Sequence, residues 1–214
     1  MKENYERFAM SSNEGGLFLN EKEYARLKKL HEESIKSGDE KNANEFWMCI
    51  QVYEINRSFL LAFENLKSEE YYKAWCEFDK IELTIRDVEN NFPLDDLVNV
   101  GFIKQIVPNY MALFPYKVFL SREAILKKST CSICGQEIKI RNRCKHKLGK
   151  LYTGKICSRI IEEEELIAVS LVENPVDRYS VVNAEGNYDF SCLRSLVKEL
   201  ETPFKYFSVT RNNT

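Results

Sequence analysis

The chain has 214 residues, of which 44% are hydrophobic and 30% are charged, with 31 Lys and Arg against 33 Asp and Glu. This composition excludes wholesale disorder and is sufficient for one large or two small domains with packed cores. No apolar run is long enough to cross a bilayer, and residues 1–8 alternate charge with single apolar residues, unlike a signal peptide. We therefore expect a cytoplasmic protein without a membrane partner.

The start of the chain predicts an arm followed by a short amphipathic helix. Residues 1–19 contain the run Ser-Ser-Asn-Glu-Gly-Gly, which is typical of a loosely held, flexible arm. Asn20 and Glu23 form a capping pair, and Gly38 is typical of a helix end. A first helix is therefore expected between these signals.

Two longer helices are predicted next. From about residue 43 to residue 66, apolar residues recur at intervals of three and four, which predicts a central helix. Ser68 and two following glutamates predict the start of a third helix, which should end at the run Asn-Asn-Phe-Pro over residues 90–93. Because only a few residues join them, the two helices should form an antiparallel hairpin.

The remaining elements are shorter. We expect helices broken near Pro108 and again at Pro115, and a last short helix beginning at Ser121. The acidic run Glu162–Glu165 predicts a solvated helix end. Strands are predicted over 166–172 and 179–182, on either side of an Asn-Pro turn, with a closing helix over 191–200.

Five potential metal ligands fall within 27 residues of one another. Cys131 and Cys134 form a Cys-x2-Cys pair followed by glycine, which is typical of a tight zinc knuckle. Cys144 and His146 follow as a Cys-x-His pair, and Cys157 comes last. Thiolates and an imidazole at this spacing predict one Zn2+ per chain.

The identity of the last ligand stays open, because three donors compete for the two positions that the Cys-x2-Cys pair leaves. We favour His146 and Cys157, since a helix beginning after Gly154 could present Cys157 from its first turn. Cys144 is the alternate ligand. Four protein ligands leave no position for water or substrate, so we expect a structural zinc and no catalytic residues.

These observations predict an α+β fold, with a mainly α-helical N-terminal domain followed by a small zinc-binding α+β module. Residues 1–19 are assigned to the flexible arm, 20–128 to the helical domain, and 129–214 to the zinc-binding module.

The zinc segment is basic within an otherwise acidic chain. Residues 122–159 contain eleven Lys or Arg and two acidic residues. Such a rigid, positively charged loop could contact phosphates, although the same residues also suit a solvated surface or an acidic protein partner. The candidate nucleic-acid contacts are Arg141, Arg143, Lys145, Lys147 and Lys150.

The motif resembles a known module. Cys-x2-Cys-Gly and Cys-x-His-Lys-x-Gly-x2-Tyr-x-Gly-x2-Cys over 131–157, with Val-Ser-Leu-Val-x-Asn-Pro over 169–175, resemble a zinc-binding segment of uncharacterised bacterial and phage-derived proteins. Some tailed-phage prohead proteases carry a similar segment. The resemblance implies the metal motif on Cys131, Cys134, His146 and Cys157 and a phage or mobile-element setting, more remotely a defence role. It implies no activity.

We therefore expect a non-enzymatic, zinc-binding interaction or adaptor protein with a protein partner. The first alternative is a nucleic-acid-binding protein, and the second is a metal-dependent hydrolase or nuclease. The sequence predicts neither the identity of the partner nor the oligomeric state.

Overall fold

The structure is a computed structural model that describes residues 21–93, 100–139, 141, 144–176, 178–183 and 186–208. The predicted arm and the Asn20 cap lie outside these residues. The described residues form five helices and four strands in an α+β arrangement, as predicted: α1 (Glu21–Ser37), α2 (Glu40–Lys67), α3 (Tyr71–Glu89), α4 (Val100–Ala112), β1 (Phe119–Cys131), β2 (Leu151–Tyr152), β3 (Lys155–Ile156), β4 (Arg159–Val172) and α5 (Ser191–Ser208). None of the described helices is both long and apolar enough to span a membrane.

The first three helices form where the sequence predicts them. Gly38 adopts a φ of 72° and ends α1, because this left-handed conformation is easily reached only without a Cβ. Asp39 then caps α2, and its side chain accepts a hydrogen bond from the backbone N–H of Asn42 at 3.1 Å. The central helix α2 packs between α1 and α3 and is apolar on most of its surface.

Aromatic side chains fill the core between α2, α3 and α4. Phe63 and Phe78 meet edge to face at 5.9 Å, and Phe78 contacts Phe114 in the same way at 6.1 Å. Trp75 of α3 extends this cluster towards the strands by stacking against Phe119 at 5.9 Å. Such contacts combine large apolar burial with defined ring geometry.

The longest strands form an antiparallel two-stranded ribbon. β1 pairs with β4 from Phe119 and Val172 at one end to Cys131 and Arg159 at the other, with register shifts along its length. Between these ends most side chains on both faces are exposed. We call this element the ribbon. It is anchored at its ends, with its middle in solvent.

The near end of the ribbon is attached to α3. Phe119 is buried against Trp75, whose indole N–H donates to the Arg178 carbonyl at 2.8 Å. Tyr72 donates to the Tyr179 carbonyl at 2.6 Å. Helix α5 closes this side of the molecule with a fully buried Leu193.

Three predictions about local structure are wrong. The helix expected from Ser121 is part of β1, and Glu162–Glu165 lies within β4 rather than at a helix end. In each case pairing with a strand distant in sequence overrides the local pattern. Ser68 caps the end of α2 instead of the start of α3, where the N-cap is Glu70.

The later elements follow the predictions in part. α4 runs through Pro108 instead of breaking there. The strand expected over 166–172 is confirmed within β4, whereas the segment around Val181 forms only an isolated bridge to Phe119. The closing helix is confirmed as α5. The predicted boundary at residue 128 falls within β1, and the division into two domains stays a prediction.

Candidate metal centre

The first two cysteines lie in a tight turn at the far end of β1. Cys131 accepts a backbone hydrogen bond from Gly135 at 2.8 Å and donates one to Gln136 at 3.0 Å. Gly135 has a φ of 69°, so the turn requires a residue that tolerates the left-handed region. The Ile133 N–H points at the Cys131 sulfur at 3.4 Å, as in a zinc knuckle.

The histidine faces this turn from an irregular segment. His146 Nδ1 lies 3.8 Å from Cys131 Sγ. The ring of His146 packs edge to face against Tyr152, with centroids 4.7 Å apart, and the Tyr152 hydroxyl accepts a bond from the Lys147 N–H at 2.9 Å. These contacts hold the imidazole beside the Cys131 thiol.

Cys157 directly follows β3. Its N–H donates to the Lys150 carbonyl at 2.8 Å, and its carbonyl accepts from Gly149 at 2.8 Å. Its buried Sγ lies 3.8 Å from Cys131 Sγ. The helix expected after Gly154 is wrong, because β4 begins at Arg159 and Cys157 is presented by the adjoining extended chain.

Four ligand atoms form a compact group. Those of Cys131, Cys134, Cys144 and His146 all lie within 4.8 Å of one another. Cys157 is not part of that group, although its sulfur is close to that of Cys131. The sequence-based choice of Cys157 over Cys144 stays a prediction, and the structure brings both to the site.

The donor set fits a tetrahedral metal ion. With metal–sulfur bonds of about 2.3 Å, tetrahedral geometry places two sulfurs about 3.8 Å apart. The separation between the Cys131 and Cys157 sulfurs is 3.8 Å, and that from Cys131 Sγ to His146 Nδ1 is also 3.8 Å. Thiolates with one imidazole are the ligands that favour zinc over magnesium or calcium.

The thiols at this site differ in acidity. Burial opposes ionisation of Cys131, but the N–H groups of Ile133 and Cys134 and the neighbouring thiols outweigh it and lower its pKa to about 6. Burial, together with a hydrogen bond to Cys131, raises the pKa of Cys157 to about 11. Cys131 is thus more readily ionised than Cys157.

Residues 131–157, which we call the metal segment, contact one end of the helical body formed by α1 to α4. Gly154, with a φ of 74°, donates to Asn44 at 2.7 Å, and its carbonyl accepts from His31 Nε2 at 3.0 Å. The Asn91 side chain donates to the Gly149 carbonyl and accepts from the Leu151 N–H, both at 2.9 Å. Sequence reasoning missed His31 and Asn44 on helices and Asn91 just after α3, because single polar residues carry no signal for partners about 60 to 120 positions away.

The basic residues lie around this centre with different surroundings. Lys139 forms an ion pair with Glu137 at 2.9 Å, and Lys150 donates to the Asn90 carbonyl. Arg141, Lys145 and Lys147 are exposed. The predicted contact Arg143 lies outside the described residues.

Comparison with known proteins adds no relative: the chain matches no protein-family model, no curated protein and no solved structure.

Proposed function

We propose that this chain is a non-enzymatic, zinc-binding interaction protein in which the metal fastens the ribbon to the helical body. The observation that carries the proposal is the compact group of four ligand atoms, as many as a tetrahedral zinc uses, with the Cys157 sulfur close to that of Cys131. Such a site has no vacancy for substrate, so the metal acts on structure. The proposed ligands are Cys131, Cys134 and His146, with a fourth from Cys144 or Cys157.

The position of the metal explains what it would hold. Cys131 ends β1, and Cys157 lies two residues before β4, so a shared metal closes the far end of the ribbon. The same segment is bonded to the helical body through Gly154 and Asn91. With its near end packed on Trp75, the ribbon would be fixed at both ends and would display its exposed side chains to a partner.

Metal analysis tests the proposal. Purified protein should contain about one zinc per chain, and Cys131→Ser should lose it. Cys192→Ser is the matched control, since this exposed thiol lies on α5, outside the compact group. Retention of zinc by Cys131→Ser would contradict the assignment.

Cobalt substitution tests the absence of an open position. Co2+ at a closed thiolate site should show tetrahedral absorption that does not change when azide is added. A shift on azide addition would reveal an exchangeable position and favour a metal-dependent hydrolase instead.

A second candidate function, nucleic-acid binding, is favoured by the cations beside the metal. Arg141, Lys145 and Lys147 are exposed, and no ion pair involves them among the residues that the structure describes. Exposed cations on a rigid loop are suited to phosphate contacts. They would supply affinity without sequence specificity.

A gel-shift titration against short DNA and RNA separates this candidate from the first. Binding should weaken steeply as salt rises, and Lys145→Glu with Lys147→Glu should reduce it by about tenfold or more. Lys73→Glu, at an exposed lysine of α3, is the control. Absence of binding even at low salt would exclude nucleic-acid contact through this surface.

A further inference from the structure

The outward side of the ribbon is an apolar surface without a partner in the described chain. Strand pairing places six apolar side chains on one face, which we call the outer face. They are Leu120, Ala124, Leu126, Leu166, Val169 and Leu171. The five larger ones are 40% to 67% exposed, from Leu126 at the low end to Leu171 at the high end.

The outer face points away from the helical body. Phe119 and Val172, a pair on the opposite face, pack against the core, so the neighbouring pair Leu120 and Leu171 is directed to solvent. Within the described ranges, most side chains along the middle of the ribbon are exposed. An isolated two-stranded ribbon is only marginally stable in water, and a contiguous exposed apolar patch usually marks an interaction site.

The charges on the outer face are arranged symmetrically about its centre. Ala124 pairs with Leu166, and this pair forms the central level of the face. A level here means one cross-strand pair of this face. Arg122, on β1, belongs to the next level towards the near end of the ribbon, and Glu164, on β4, belongs to the next level towards the far end. They form an ion pair at 2.8 Å across the central level.

This pattern is complementary to itself. Consider a two-fold axis that lies between two ribbons, perpendicular to their strands and at the central level. It would place the two outer faces against each other, with the strands of one copy antiparallel to those of the other. Arg122 of one copy would then lie opposite Leu126 of the second copy and diagonally beside its Glu164, and Val169 would lie opposite Glu164 and diagonally beside Leu126. Small Ala124 at the centre would allow close approach, while apolar side chains from both copies would form a dry layer.

We propose that a second copy of this chain covers the outer face, giving a symmetric homodimer through packing of the two ribbons. The inference rests on the proposed function in one respect, namely that the ribbon is the interaction element. Opposite charges at equivalent levels and apolar side chains between them favour a second copy over an unrelated partner.

Sedimentation analysis over a range of concentrations tests the dimer. The native chain should shift from monomer to dimer as concentration rises. Val169→Asp would place an unpaired carboxylate in each half of the interface and should raise the dissociation constant by about 100-fold or more. Val176→Asp is the matched control, because this valine is 93% exposed and lies beyond the end of β4; it should leave the dimer unchanged.

A charge-exchange pair makes the test independent of folding defects. Arg122→Glu and Glu164→Arg should each be monomeric, because like charges from the two copies would lie diagonally beside one another in either homodimer. Mixed together, the two variants should form a heterodimer, since the two carboxylates of the first variant would then face the two guanidinium groups of the second. Both variants keep repulsion within their own ribbon, so recovery on mixing can arise only between chains.

The outcomes separate this inference from the proposed function. A native chain that stays monomeric at the highest attainable concentration, or a mixture that does not associate, would overturn the dimer whatever its metal content. Equal effects of Val169→Asp and Val176→Asp would also overturn it. A dimer in protein that binds no zinc would retain this inference while contradicting the proposed metal clamp.

Discussion

At the scale of single residues, Gly154 joins the metal segment to the helices. Its left-handed backbone accepts only glycine without strain, and a Cβ there would lie 2.4 Å from His31 Nε2 and 3.2 Å from the Ala43 Cβ. We expect Gly154→Ala to lower the free energy of unfolding by about 2–4 kcal/mol, from backbone strain plus displacement of His31 from the Gly154 carbonyl. Urea denaturation measures the change.

Gly38→Ala is the control for that prediction. Gly38 has a similar φ of 72°, but a Cβ there would meet nothing within 4 Å. This variant should therefore lose only the backbone part, about 1 kcal/mol. Equal losses for the two variants would show that the contact with His31 contributes nothing.

The surplus thiol at the metal centre leads to a prediction of redundancy. Cys144 and Cys157 both lie near Cys131, and the site needs only one of them. We expect Cys144→Ser and Cys157→Ser each to retain about one zinc per chain, whereas the double variant should lose it. Zinc content after dialysis against a weak chelator provides the measurement, and loss of zinc from only one single variant would identify the fixed fourth ligand.

At the scale of elements, the sequence predicts a helix or strand when the residues that determine its conformation lie within that segment. Helices α1 to α3 follow from apolar periodicity within each segment and from the helix-ending residues Gly38 and 90–93. β1 does not, because both faces of the ribbon are exposed and no alternation of apolar and polar residues marks it. Its conformation comes from pairing with β4 about 40 residues away, and the irregular register near Ala124 and Lys128 obscures the period further.

Pro108 gives an element-scale prediction. It lies inside α4, where it removes a backbone hydrogen bond to the preceding turn, yet the buried neighbours Ile103, Val107 and Met111 keep the helix in place. Pro108 is itself exposed, so Pro108→Ala should restore the bond without altering the core. We expect the free energy of unfolding to rise by about 1–3 kcal/mol in thermal or urea denaturation.

The exposed neighbour provides the comparison. Asn109→Ala changes helix propensity at the next position without restoring a backbone donor, so its gain should be below about 1 kcal/mol. A Pro108→Ala variant no more stable than Asn109→Ala would mean that α4 is already relaxed around the proline.

At the scale of the whole molecule, the clustering of potential metal ligands was predictable from the sequence, whereas the attachment of this cluster to the helices was not. Cysteine spacing indicates a metal site because its ligands are close in sequence. Docking through Asn91 and His31 depends on which ends of α1 and α3 meet the metal segment, and that follows only from packing of the entire chain. The aromatic core around Phe78 and the group of metal ligands are separate parts of the fold, since the core includes none of those ligands.

Removal of the proposed zinc should therefore loosen the molecule from one end. On chelation, we expect amide hydrogen exchange to accelerate in 131–157 and at the far end of the ribbon. The backbone hydrogen bonds of Cys131 and Cys157 lie there, beside the proposed metal. Amides of α2 and α3 should stay protected by the aromatic core, and Leu120, bonded to the Ser180 carbonyl at 2.7 Å, should be affected little. Exchange followed by mass spectrometry gives this profile, and added zinc should restore the protection.

Uniform loss of protection, including α2 and α3, would instead mean that the metal supports the whole fold. No change over 131–157 would mean that the segment needs no metal.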